Sequence, residues 1–181
     1  GELQVDSRRL ELEVPRIFRE PFERLQLSSR IRWRQNPEDW VVKAEQVALS
    51  APAGRVQGDA ELRLPKDKGL SPELKLHMEV KEADGTYTSM FLPRMLPAPL
   101  LAYLENAVVA GRVTGGSIDF HGAVRNFPFR DGKGRFEVRA HVEDGVYEYL
   151  PGWVPLRHVE ADLYFTGIGM QITASRATLR D

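Results

Sequence analysis

Four histidines, His77, His121, His141 and His158, are the side chains of this sequence best suited to moving a proton or holding a metal near neutral pH. A zinc-hydrolase helix sets two histidines four residues apart with a glutamate between them, and no histidine here has a second at that spacing. His77, His141 and His158 instead share their faces with Glu, Lys and Arg, as solvated strand residues do. No Gly-x-Ser-x-Gly elbow, phosphate-cradling glycine loop or dinucleotide fingerprint occurs. Asp131-Gly132-Lys133-Gly134 lacks the alternating carboxylates of a calcium loop and reads as a hairpin turn. The absence of cysteine removes thiol nucleophiles, thiolate metal sites and disulfides together, and leaves the redox compartment open. A carboxylate pair brought together by folding would leave no spacing signature, and nothing nominates one. The expectation is a chain without catalysis, without a metal and without a cofactor.

The remaining charged features point the same way. Arg30, Arg32 and Arg34 form a ladder at every second residue that would suit a polyanion, but Lys43 and Glu45 on the following stretch make a solvated strand face the simpler reading. Lys and Arg total 25 against 26 Asp and Glu, a net charge of -1, so no basic surface is expected to release counterions from DNA or RNA. No run approaches the ~18 to 20 apolar residues that cross a bilayer as a helix. The start GELQVDSRR carries no initiator methionine or signal-peptide core, and the end MQITASRATLRD still alternates like a strand. Both predict a segment of a longer chain.

The elements that position these residues are mostly strands. Period-two alternation sets Leu25, Leu27, Ile31 and Trp33 against the arginines, then Trp40, Val42 and Ala44, with a change of phase at Val47 and Leu49 that predicts a bulge. It continues through Ala60, Leu62 and Leu64; Leu74, Leu76, Met78 and Val80; Ile118, Phe120 and Val124; and Phe136, Val138, Ala140 and Val142. Val159, Ala161, Leu163 and Phe165, then Ile168, Met170, Ile172 and Ala174, complete it. Turns are predicted at Ala53-Gly54, Lys68-Gly69, Asp84-Gly85, Asp131-Gly132, Asp144-Gly145 and Gly167, giving an antiparallel meander. A weak repeat aligns GRVQGDAELRL from Gly54 with GRVTGGSIDF from Gly111. The one departure is a short helix near residues 98–110, with Pro99 in its first turn, a stripe of Leu100, Leu101, Leu104 and Val108, and Gly111 as its stop. Phe127-Pro128-Phe129 reads as a plug holding the hairpin end onto that helix. One helix cannot cover a sheet of roughly ten strands at ~4.8 Å spacing, so something else must cover its apolar face.

Leu92-Pro93, Tyr103-Leu104, Ala110-Gly111, Phe120-His121-Gly122, Phe127-Pro128-Phe129, Gly134-x-Phe136, Tyr149-x-x-Gly-Trp153 and Ala161-x-Leu163-x-Phe165, in that order, resemble the AsmA-like envelope proteins of the YhdP subgroup. The resemblance is dense from about Gly85 to Asp181 and a matter of pattern before it. Trp153-Val154-Pro155 departs from the family's commoner Trp-Pro, which touches only the local turn. It implies a periplasmic protein of Gram-negative bacteria, anchored in the inner membrane by a helix absent from this stretch. Its curled antiparallel sheet would form an elongated hydrophobic groove for phospholipids moving toward the outer membrane, and no catalytic residues come with it.

On that reading the fold is mainly β, with residues 1–84 an antiparallel segment of the groove and residues 85–181 the helix and a meander continuing the same sheet. The groove residues implied are Leu62, Leu64, Leu74, Leu76, Met78, Val80, Ile118, Phe120, Phe136, Val138, Val142, Leu163, Phe165 and Ile172. Half of a ~30 Å hydrocarbon core is one acyl chain, ~15 Å, which spans about three strands, so lipid could provide the missing cover. The partners implied are phospholipid acyl chains, the rest of the longer chain and other envelope proteins, with no nucleic acid. The rival is a closed β-sandwich serving as a binding module, in which the two halves of the chain bury each other's apolar faces. A β-sandwich hydrolase stands behind both.

Overall fold

Strand-forming alternation dominates the sequence, and a computed structural model turns it into a single sheet. The structure describes residues 1–13, 20–92, 98–150 and 152–179. The strands are β1 (Glu2–Leu12), β2 (Phe22–Gln35), β3 (Asp39–Ala51), β4 (Gly54–Pro65), β5 (Glu73–Asp84), β6 (Val108–Ala123), β7 (Gly134–Tyr147), β8 (Leu156–Thr166) and β9 (Met170–Thr178). Their order in the sheet is their order in the chain, and every pair is antiparallel. β1 and β9 are the two free edges of one open sheet, so the fold is neither a barrel nor the closed sandwich of the rival reading. A single layer cannot shield its own apolar face, and most long apolar side chains of the central strands, Met78 excepted, remain partly exposed.

The predicted bulge is present: register slips between Ala44 and Val47 opposite β4, and Gln46 takes φ +52° while its amide donates to Asp59 Oδ1 at 2.9 Å. Asp144-Gly145 differs from its expectation. It is not a turn but a bulge inside β7, with Asp144 at φ +52° and pairing to β8 resuming at Gly145. A turn dipeptide here has lost to a strand whose partner continues past it. The repeat falls at equivalent places, opening β4 and β6 on either side of β5 with Gly54 at φ +154° and Gly111 at φ +152°.

Between β5 and β6 lie a single turn α1 (Thr88–Phe91) and α2 (Ala98–Ala107). α2 ends three residues short of the predicted 110, because the β-branched pair Val108-Val109 joins β6 and pairs with β7. Leu101 and Leu104 pack with Leu92 into a small buried cluster. Pro93 and the side chain of Leu100, both used above, lie outside the described residues. The Tyr103 ring of α2 meets Tyr147 of β7 edge-on at 6.4 Å, and their hydroxyls hydrogen-bond. Burial first, and then that bond, push the Tyr147 phenol up to about 12, so it stays neutral at physiological pH.

Candidate functional site

The register of the sheet shows which of the predicted groove residues the fold brings together. Trp33, Val42, Leu62 and Leu74 are successive partners across β2 to β5. Ala60, Leu76, Phe120 and Phe136 are partners across β4 to β7, and Met78, Ile118, Val138 and Phe165 across β5 to β8. A further row runs Val56, Val80, Gly116, Ala140, Leu163 and Ile172 to the last strand. Leu64 pairs with Trp40, and Val142 sits between Val113 and Ala161. Because side chains alternate with period two, partners in register share a face, and all fourteen predicted residues stand on one side of the sheet. Ile31, Trp33, Val42, Val47, Leu49 and Val56 belong to the same face and were missing from the prediction. Their alternation was already visible in the sequence and would have found them.

The opposite side is mostly charged, although the buried Val41 stands on it between Arg34 and Arg63. Glu61, Lys75, His121 and Arg135 form one row, and Asp59, His77, Asp119 and Glu137 the next. Lys43 Nζ lies 2.9 Å from Glu61, and that contact is the main reason the Glu61 carboxyl sits below its ordinary value. Arg32 reaches both Glu2 and Glu45 at 3.3 and 3.2 Å and Arg30 lies 3.5 Å from Glu2, so these two arginines of the ladder are solvated and paired. Three histidines face aspartates on neighbouring strands through Nδ1: His77 with Asp119 at 2.7 Å, His141 with Asp162 at 2.8 Å and His158 with Asp144 at 2.7 Å. The Asp162 bond raises the His141 value. A His–Asp pair becomes a catalytic dyad only when it activates a nucleophile, and among the described residues no hydroxyl bonds any of these rings. Nor, among the described residues, do three or more His, Asp or Glu converge as a metal site would require.

A hollow of about 660 Å³ is lined by Lys43, Glu61, Lys75, His121 and Arg135 together with Ala60, Leu76 and Phe120. Of its charged lining residues, Glu61 and Asp119 are already paired. Most of the apolar side is a broad floor of partly exposed side chains, with Val47, Met78 and Ala161 buried in it.

The connection 124–133 is the main feature that the sequence placed wrongly. Val124 opens a 3-10 turn rather than extending β6, and Phe127 and Phe129 pack not on α2 but on the sheet itself. α2 stands where β6 begins, whereas this connection follows the far end of β6. Phe120, Phe127, Phe129 and Phe136 form one cluster with ring centroids 5.1 to 6.2 Å apart. Gly134 and Gly122 are what let Phe129 in. A Cβ on Gly134 would lie 2.2 Å from the Phe129 ring and one on Gly122 would lie 2.9 Å from it.

A family model described as YhdP protein matches residues 1–181. The chain belongs to the YhdP family. The likeness seen from Gly85 onward therefore extends over the whole chain. Among curated proteins, the intermembrane phospholipid transporter YhdP of Escherichia coli (strain K12) is 21% identical over 171 residues, which cover 94% of this chain and 13% of that YhdP protein. No solved structure matches significantly. The described residues contain no helix long and apolar enough to cross a membrane.

Proposed function

We propose that this chain is a non-catalytic segment of a lipid-transport protein whose apolar sheet face shields phospholipid acyl chains between the inner and outer membranes. The observation that carries the reading is the open nine-strand sheet with one continuous apolar face, its residues in register from β2 to β9 and only partly covered. Burying apolar surface is worth roughly 25 cal/mol per Å², so a face this broad favours an apolar occupant over water. Acyl chains suit it because they demand no hydrogen bonds, and these positions offer few. The relative named as an intermembrane phospholipid transporter supports the same substrate. On this account residues 1–84 and 85–181 act as one stretch of groove, in the periplasm, with the membrane anchor and the rest of the path supplied by the longer chain.

The experiment is phospholipid analysis by mass spectrometry of the purified full-length protein, native and carrying Val138→Asp. A charge in the acyl path should oppose lipid by roughly 2.5 to 3.5 kcal/mol, by analogy with charges at the bilayer centre. The native protein should carry phospholipid and the variant much less. Equal lipid content in both would sink the proposal.

A further inference from the structure

The face assigned to lipid is not uniformly open, and at the ends of β6, β7 and β8 it is closed by a single segment. Phe127 and Phe129 lie on Phe120 and Phe136, and Phe129 fills the space that side chains at Gly122 and Gly134 would occupy. The Pro128 carbonyl reaches Gly167 just past β8, where a Cβ would meet it at 2.1 Å, so the segment runs across the ends of β6, β7 and β8. It is fastened from both sides. Its own backbone closes with Phe129 N donating to Asn126 O at 2.7 Å and Gly132 N to Phe129 O at 3.0 Å. Arg125 ties it to the loop between β4 and β5, its amide donating to Ser71 Oγ at 3.0 Å and its guanidinium to the carbonyls of Gly69 and Lys68, both at 3.2 Å. Phe129 is buried as deeply as the core residues around α2. A loop free to move would have neither the fastenings nor the burial.

At the other end of the same strands stands α2, with Tyr103 against Tyr147. Between the two boundaries the floor is Val80, Ile118, Val138, Val142 and Leu163, beside the buried Met78. We propose that the 124–133 connection is a fixed side wall of the lipid path, with Phe127 and Phe129 setting its width, so that acyl chains run across the strands in the band between this wall and α2. This rests on the lipid-path reading above. Val138 to Val142 alone spans about 13 Å at ~3.3 Å per residue. Carbon chains in contact lie about 4 Å apart, so the band admits the two chains of one phospholipid side by side. The wall also divides the face predicted from sequence: Phe120 and Phe136 become part of the boundary, and Ile118 and Val138 stay in the path.

The test places a photo-crosslinking side chain at position 118 or at position 136 of the full-length protein, with the wall intact or loosened by Phe127→Ala or Gly134→Ala. With the wall intact, phospholipid capture at 118 should exceed capture at 136 several-fold. Loosening it should bring 136 to within about twofold of 118, while continued capture at 118 shows that the sheet is still folded. Capture at 136 equal to that at 118 with the wall intact overturns the wall and leaves the lipid reading standing. A silent 136 in both loosened variants overturns it too. No capture at either position removes the lipid reading, and the wall with it.

Discussion

The two faces of this sheet obey opposite rules. On the charged face the chain supplies its own partners: Lys43 meets Glu61, Arg55 meets Glu82 at 2.7 Å, and His77, His141 and His158 each meet an aspartate on the adjoining strand. On the apolar face the cross-strand neighbours are equally well matched, but most of them stay partly exposed between α2 and the Phe127–Phe129 end. One face is finished by ion pairs and the other stays largely half-exposed. The difference also divides the energetics, because exposed ion pairs are worth ~0 to 1 kcal/mol each whereas an aromatic cluster packed on a sheet is worth several.

The sharpest way to test that division is at the corner covered by Phe127 and Phe129. Phe129→Ala removes a buried ring that touches two others and fills the space over two glycines, and should cost about 3 to 5 kcal/mol, lowering the melting temperature by roughly 10 °C in calorimetry. A loss under about 1 kcal/mol would show that the corner is no more packed than the rest of the face. Next comes the open floor. Val138→Asp and Leu76→Asp each put a carboxylate where water can reach it when no lipid is bound, so thermal stability should fall by only about a kcal/mol. In a closed core the same carboxylate would cost several kcal/mol of the ~5 to 15 that hold a domain together. If both variants unfold at room temperature while Arg139→Asp does not, the apolar face is covered after all.

Smaller effects belong to the charged face. Lys43→Ala should change stability by less than about 1 kcal/mol, since its partner Glu61 stays accessible to water. The smallest is a pH effect at His141. Its folded value is raised by Asp162, so its contribution is complete below the ordinary value of 6.5 and fades as pH rises through the folded value. The melting-temperature difference between the native chain and His141→Gln should therefore shrink from pH 5.5 to pH 8; a difference that grows would reverse the assignment.

Much of this was legible in the residues because period two is a strong signal over long strands. The alternation of Leu74, Leu76, Met78 and Val80 against Glu73, Lys75, His77 and Glu79 assigned both faces of β5 at once, and the phase change at Val47 located a bulge. Asp144-Gly145 misled because a turn dipeptide reports local preference, while the pairing of β7 with β8 continues past it. Phe127-Pro128-Phe129 was read as a plug on the helix, but its seat is Phe120 and Phe136 on the two strands it joins. Only the empty positions at Gly122 and Gly134 hinted at where a ring could land.

The most direct test of the division between faces uses two adjacent residues of β7. Val138 lies in the row of Met78, Ile118 and Phe165, and Arg139 points the other way, over the Tyr164 ring at 4.5 Å. A photo-crosslinking side chain at position 138 of the full-length protein should capture phospholipid, and one at 139 should not. Equal capture at the two positions, or none at 138, would contradict the account.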